Sequence, residues 1–273
     1  MSLPVRYFIQ RELMRCDARA FTDGVEDVVF FDAQGDWRAT LSRLEAELPQ
    51  TRRAMVFGSI QVISQIRRSH PRLAAGAIAD FPALAFHAWS GRLPAEALLN
   101  RSAMLIPFGW LASRKMMFEQ VFGERIFLRP DASTKAFPGQ VLSLDALDLE
   151  VSALRQIHHL FDDTLVVVDR ARKIAPHEYR FWLSGGDVLT WAPYAHEDIG
   201  AAPHCPRVVH DFIESLAGEV ALIEDPVVAD VVLDEIGTPR IVELNGFSTS
   251  GFYQGFDFNA LACGVKNLWG ECP

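Results

Sequence analysis

Apolar positions along this chain come in short runs whose period changes with position. Val28-Val-Phe-Phe31 is an unbroken apolar run that stops at the turn residues Gln34-Gly35-Asp36, which predicts a buried strand. Leu41 to Leu48 has helical spacing. Ala54-Met-Val-Phe57 repeats the strand pattern, closes at Gly58-Ser59 and leads into a predicted helix over 60–68. Strand and helix alternate over roughly the first 110 residues, which favours an open parallel α/β sheet. Ser59 reads as the N-cap of the following helix. A strand's carboxyl end that meets a helix N-terminus is also where ligands often bind.

The pattern changes near Leu111. A helix is predicted over 111–122, stopped by Gly123, then a strand at Arg125-Ile-Phe-Leu-Arg-Pro130 and a helix within 144–161. Leu165-Val-Val-Val168 is apolar throughout and reads as a strand buried on both faces. Tyr179–Leu183 and Val188–Trp191 form a hairpin around Ser184-Gly-Gly-Asp187. Pro206–Leu216 is helical, with Gly218 as its stop. A last hairpin joins Val227–Leu233 to Arg240–Leu244 through Gly237-Thr-Pro239. Hairpin, helix, hairpin is an α+β order.

Composition adds bounds. The chain has 273 residues, 49% hydrophobic and 22% charged, with formal net charge −9. No apolar run approaches the ~20 residues that span a bilayer, and no secretion signal opens the chain. The negative balance argues against nucleic acid as main partner, since phosphate backbones attract clustered Lys and Arg. Four cysteines (Cys16, Cys205, Cys263 and Cys272) lack a CxxC spacing, and Cys263 and Cys272 are close enough in sequence to pair. Reduced thiols in a cytoplasmic protein are expected. His158 and His159 point about 100° apart on a helix and do not chelate together. His196, His204, His210 and Cys205 lack the paired ligands of a zinc site.

Three segments carry candidate chemistry. In the last hairpin, Glu243 and Asn245 are two apart and share one strand face, while Val242 and Leu244 take the other. Asp234 ends the partner strand and is expected to meet them across the pair. Asp, Glu and Asn together offer hard oxygen donors of the kind Mg²⁺ takes. A solvated hairpin face has the same spacing, although Asn is depleted in strands. The second segment, Arg125 to Gly139, brings Arg129 to the end of a buried strand and Lys135 into a turn-rich loop with Ser133 and Thr134, groups suited to phosphate oxygens. The third, His177-Glu-Tyr-Arg-Phe181, sets Glu178 and Arg180 on one strand face, either as a plain ion pair or as site residues.

Taken in order (basic strand and loop, buried strand, Glu-x-Arg hairpin, helix, Asp strand, Glu-x-Asn strand), these segments resemble the ATP-grasp superfamily over about residues 111–255. Phe-Leu-Arg-Pro130, Glu-Tyr-Arg-Phe-Trp182, Ile-Val-Glu-Leu-Asn-Gly-Phe247 and the tail Phe247-Ser-Thr-Ser-Gly-Phe-Tyr253 are most similar to the clade in which Arg replaces a phosphate-binding Lys. The resemblance implies a smaller α/β domain over 1–110 followed by an α+β ATP-grasp domain over 111–273. It implies ATP and Mg²⁺ as cofactors, with Asp234, Glu243 and Asn245 as metal ligands. Arg129 and Lys115 would contact phosphate, Lys135 would sit in the loop that closes over it, and Arg180 would stabilise the transferring phosphoryl group. Glu178 would support nucleotide or metal, and Val168-Asp169-Arg-Ala171 would form the hinge beside adenine.

The phosphate loop departs from the superfamily in being poor in Gly, bracketed by Pro130, Pro138 and Gly139. The implied reaction joins a small-molecule or peptide carboxylate, activated as acylphosphate, to an amine or similar acceptor. A phosphotransferase or a non-catalytic nucleotide-binding module would share these motifs. No membrane is expected as a partner, and a homodimer is left open.

Overall fold

The computed structural model describes residues 3–15, 24–194 and 204–268. Along the chain these form β1 (Val5–Gln10), β2 (Met14–Arg15), β3 (Val28–Phe31), α1 (Trp37–Glu47), β4 (Arg53–Phe57) and α2 (Ile60–Ser69). Then come β5 (Met104–Pro107), α3 (Lys115–Phe122), β6 (Arg125–Pro130), β7 (Gln140–Ser143), α4 (Leu147–His158) and β8 (Leu165–Arg170). The rest is β9 (Ile174–Ser184), β10 (Asp187–Tyr194), α5 (Arg207–Ala221), β11 (Val227–Asp234), β12 (Pro239–Gly246), β13 (Phe252–Tyr253) and α6 (Phe258–Asn267).

The chain divides into two compact units: residues 1–80, 176–231 and 244–273 form one, and 81–175 with 232–243 form the other. In the first unit a parallel sheet runs β3-β1-β4. The central strand β1 sets Tyr7 beside Val28 on one side and Met55 on the other. Ser59 caps α2 by accepting from the Val62 amide at 3.4 Å. A second sheet has the order β10-β9-β11-β12, and β9, β11 and β12 each continue along the chain into the other unit. The β9–β10 hairpin turns on Gly185 and Gly186, both at positive φ, a conformation L side chains rarely adopt. The unit's core includes Tyr7, Ile9, Phe57, Trp182, Phe252 and Phe256. The Trp182 and Phe256 rings meet edge to face with centroids 4.4 Å apart.

The second unit holds an antiparallel sheet of order β5-β8-β6-β7. One face of it, with Ile126, Leu128, Val166 and Val168, packs with Phe118 and Phe122 of α3 and Val151 and Leu154 of α4. Each such buried side chain contributes roughly 1.5–3 kcal/mol. Alternation leaves Arg129, Val167 and Asp169 on the opposite face. The units divide the chain differently from the expected boundary at 110/111. The change comes between Asp80 and Phe81, because β5 lies before residue 111 yet pairs with β8.

Candidate functional site

Strand β6 is buried by its alternate apolar residues, and it delivers Arg129 to its end with the side chain buried. The guanidinium Nη1 donates to the Val242 carbonyl at 3.2 Å, and Nη2 lies 3.3 Å from Glu243 Oε2. Lys135 adopts a positive φ of 52° in the following loop, and its Nζ pairs with the other oxygen, Glu243 Oε1. The loop is tied down by its own side chains. Asp131 accepts from the His87 amide at 2.9 Å and lies 2.6 Å from the His87 ring, and Ser133 donates to the Phe81 carbonyl at 2.8 Å. Two cations and a carboxylate from segments 108 residues apart in sequence thus form one cluster.

The first unit holds a second cluster. Arg180 on β9 makes a bidentate pair with Asp230, Nε to Oδ1 and Nη2 to Oδ2, both 2.7 Å. Asn245 Nδ2 donates to Asp230 Oδ2 at 2.8 Å. The Arg180 guanidinium also lies over the Tyr253 ring, 5.6 Å from its centroid. Asp230 is fully buried, an environment a carboxylate tolerates only when paired. Glu178, half-buried, lies two residues before Arg180 on the same strand.

Asp234 is bonded within its own turn and to Arg240. Its Oδ1 accepts from the amides of Ile236 at 3.2 Å and Thr238 at 2.8 Å, and its Oδ2 takes Arg240 Nε at 3.0 Å. Against a burial effect that raises it, the Thr238 amide and the Arg240 guanidinium hold this carboxyl below the usual aspartate range. Asp234 is expected to meet Asn245; in the structure the bonds of Asp234 run to its own turn and to Arg240, and Asn245 donates to Asp230. An Asp just before a turn is captured by the turn's own amides, and Asp230, four residues earlier, takes the place beside Asn245. Lys115 opens α3 and makes a long ion pair of 3.9 Å with exposed Asp145.

Around the predicted hinge, Val168 is part of the second unit's core. Asp169 is buried, accepting from the Arg170 amide at 2.6 Å and the Ser102 amide at 3.4 Å, with Arg172 Nη2 at 3.6 Å. Burial raises its pKa, opposed by those amides and by the Arg172 charge. Its side chain braces the backbone at Arg170 and Ser102. Ala171 instead lines a cavity of 540 Å³ that also gathers four arginines and a lysine, among them Arg101, Arg172 and Lys173. Arg101 and Lys173 carry no motif by which the sequence alone could single them out.

A family model for the ATP-grasp domain, family 3 of the Arg-for-Lys clade, matches residues 79–268, well over half of the chain. The chain belongs to the ATP-grasp family. Its fold is shared with D-cycloserine synthetase DcsG, at 12% identity and TM-score 0.59, covering 96% of this chain and 99% of that one. D-Alanine–D-alanine ligase from Bacillus anthracis, solved with ATP, is 13% identical with TM-score 0.56, covering 98% and 95%. N5-Carboxyaminoimidazole synthetase from Staphylococcus aureus, solved with ADP, is 8% identical with TM-score 0.57, covering 100% and 79%. No curated protein matches the chain by sequence.

In this ATP-grasp chain the donor chemistry fits the divalent cation that the resemblance implies. Asp230 and Asn245 in the first unit, and Glu243 in the second, offer carboxylate and amide oxygens with no sulfur or imidazole among them, the hard donor chemistry that Mg²⁺ takes. A separate group, His210, Asp211 and Glu214, lies at metal-holding spacing on α5, where His210 and Glu214 already pair at 3.4 Å. Cys205 lies near that helix in sequence, and burial pushes its thiol up to about 12. His196, Cys16 and Cys272 fall outside the described residues. Among the described residues, no helix is long and apolar enough to cross a membrane.

Proposed function

We propose that this ATP-grasp chain is an ATP- and Mg²⁺-dependent ligase that activates a carboxylate as its acylphosphate and joins it to an amine, working in the cytoplasm. One observation carries the reading: the two carboxylates suited to a metal, Glu243 and Asp230, are each held by cations of the phosphate-binding kind. Arg129 and Lys135 hold Glu243, and Arg180 holds Asp230. With nucleotide and metal bound, Arg129, Lys135 and Arg180 would turn to phosphate oxygens. Glu243 in the second unit, and Asp230 with Asn245 in the first, would be the oxygen donors for the metal, whose chemistry would be neutralisation of phosphate charge.

Arg129 and Lys135 bind and orient the phosphates, with Lys115 at their edge, and Arg180 steadies the charge that develops on the transferring group. The hinge, Val168, Asp169 and Ala171, meets the nucleobase beside the cavity, and Glu178 supports the nucleotide. In the first step a substrate carboxylate oxygen bonds to the γ-phosphorus while the bond to the ADP bridging oxygen breaks. In the second, the amine nitrogen bonds to the acyl carbon, phosphate leaves and the nitrogen loses a proton. No protein nucleophile is needed. The solved neighbours include ligases for small molecules and PsnB, solved with a minimal precursor, which supports a small-molecule or peptide carboxylate as the substrate class.

The test is ADP release with Mg²⁺-ATP and pooled carboxylic acids, amino acids and short peptides, followed by mass analysis for a joined product. Glu243→Gln is expected to keep the fold and lose ADP formation at least about 100-fold. A phosphorylated acid without a joined product would make the chain a phosphotransferase, and full activity in Glu243→Gln would overturn the metal assignment.

A further inference from the structure

The joining step proposed above releases a proton from the attacking nitrogen, and the second unit holds a side-chain pair suited to receive one. Asp131 and His87 both lie in that unit. The Asp131 carboxylate is buried, with 5% of its side chain exposed. Among the described residues, both of its oxygens are taken by His87: Oδ1 accepts from the His87 amide at 2.9 Å, and Oδ2 lies 2.6 Å from ring Nδ1. A carboxylate only accepts, so the ring proton sits on Nδ1 and the free lone pair on Nε2. The His87 side chain is 53% exposed, and Nε2 lies on the ring edge turned away from the carboxylate.

The pair stands beside the phosphate cations. The Asp131 amide donates to the Leu165 carbonyl at 3.1 Å, one step past the Pro130–Val166 register, so the β6–β8 ladder runs on to Asp131. Alternation then puts its side chain on the face that carries Arg129, two residues earlier. Lys135 follows four residues later. The helical turn that carries His87, Phe86–Trp89, is fastened to the same loop. The Phe86 amide donates to the Asp131 carbonyl at 2.9 Å, and Ser133 Oγ donates to the Phe81 carbonyl at 2.8 Å. Ring, carboxylate and phosphate cations are thus carried on one tied segment, with the ring's own partner supplied by the loop.

We propose that His87 is the general base of the joining step, oriented by Asp131, a role that rests on the ligase reading. In that reading Arg129 and Lys135 hold the phosphoryl group of the acylphosphate. The acyl carbon is two bonds from that phosphorus, so the amine arrives beside the loop that holds His87. Its nitrogen bonds to the acyl carbon and gives one proton to Nε2. The carbon–oxygen bond to phosphate breaks, and its electron pair leaves with phosphate. Asp131 stabilises the imidazolium that forms, and the exposed ring then returns the proton to water.

A histidine that only ties its turn to the loop behaves differently under substitution. Asn at position 87 keeps the backbone amide and sets a side-chain N–H where Nδ1–H stands, so His87→Asn keeps the tie and lacks the base. Parent and His87→Asn are given Mg²⁺-ATP, an acid from the ADP-release screen and either pooled amino acids or hydroxylamine. Hydroxylamine is uncharged at neutral pH and traps the acylphosphate unaided. The ratio of amide to hydroxamate should fall about 100-fold in His87→Asn. The ratio is internal to each protein, so it cancels any loss of folded material. An unchanged ratio would overturn the base and leave His87 and Asp131 as a tie. No hydroxamate from the parent with any acid would overturn the ligase reading and this role with it. A second readout needs no substrate: ¹⁵N NMR of the ligand-free protein at alkaline pH should show the neutral His87 ring protonated on Nδ1. A ring protonated on Nε2 would overturn the proposal whatever the fate of the ligase reading.

Discussion

Asp230 lies in the run Val227-Val-Ala-Asp-Val-Val-Leu233, where every neighbour is apolar. An ionised side chain in such a run is itself a signal: a strand buried on both faces holds a carboxylate only with a built partner. Alternation alone cannot choose between Asp230 and Asp234, which share a face. Four residues of strand, about 13 Å, separate them, and the turn claims Asp234. The two positions should therefore respond differently. Asp230→Ala is expected to abolish ADP formation and to cost about 3–5 kcal/mol in denaturant unfolding, because buried Arg180 loses its bidentate partner. Asp234→Asn should cost about 1 kcal/mol and leave ADP formation within a few-fold of the parent. Equal loss of activity in both variants would return Asp234 to the metal.

Glu224 gives a pH test at the same scale. Burial pushes its carboxyl up to about 7, helped by the Asp80 charge and opposed by the Asp80 amide, which donates to it, and by Arg67. An acid raised in the folded state binds its proton more tightly there. Its contribution to stability is thus present below about pH 4.5 and is lost as pH rises through about 7. Comparing Glu224→Gln with the parent removes other titrations. The difference should shift in the variant's favour by on the order of 3 kcal/mol between pH 4.5 and 8, read as urea unfolding free energies. A pH-independent difference would refute the buried charge.

At the scale of elements, what local pattern marks was legible and what distant pairing makes was not. The strands at Val28–Phe31 and Leu165–Val168 and both hairpins announce themselves by apolar runs and turn residues. Strand β1 does not, although it is the centre of its sheet, because Val5 to Gln10 acquires its meaning only from neighbours at Val28 and Arg53. The loop after β6 is similar: Arg129 and Lys135 stand out in the sequence, but their common partner Glu243 does not, since they reach it only through the fold. Lys135 is partly exposed, so Lys135→Ala should change stability by less than about 1 kcal/mol. If the loop closes on nucleotide phosphates, the same change should raise the KM for ATP by about 10-fold or more, and an unchanged KM would make the lysine a surface ion pair only.

At the scale of the whole chain, the family match beginning at residue 79 and the change of unit after Asp80 nearly coincide. The pattern change at Leu111 is real but lies inside a unit, because β5 and β8 pair across some 60 residues. Net charge −9 makes the local gathering of cations informative: such a chain repels anions except where Arg and Lys are clustered. Free ATP should then bind poorly and Mg²⁺-ATP well, since the exchange proposed for Glu243 and for Asp230 would need both metal and nucleotide. By linkage, Mg²⁺-ATP at about 100 times its Kd adds about 2.7 kcal/mol to the folded state, which for a chain of this size is roughly 5–10 °C in melting temperature. Thermal unfolding with Mg²⁺-ATP, with ATP plus a chelator, and with Mg²⁺ alone is the check. The shift should appear only in the first and shrink in Glu243→Gln. An equal shift with the chelator would mean that the carboxylates serve the cations alone, and the metal would have to be withdrawn from the mechanism.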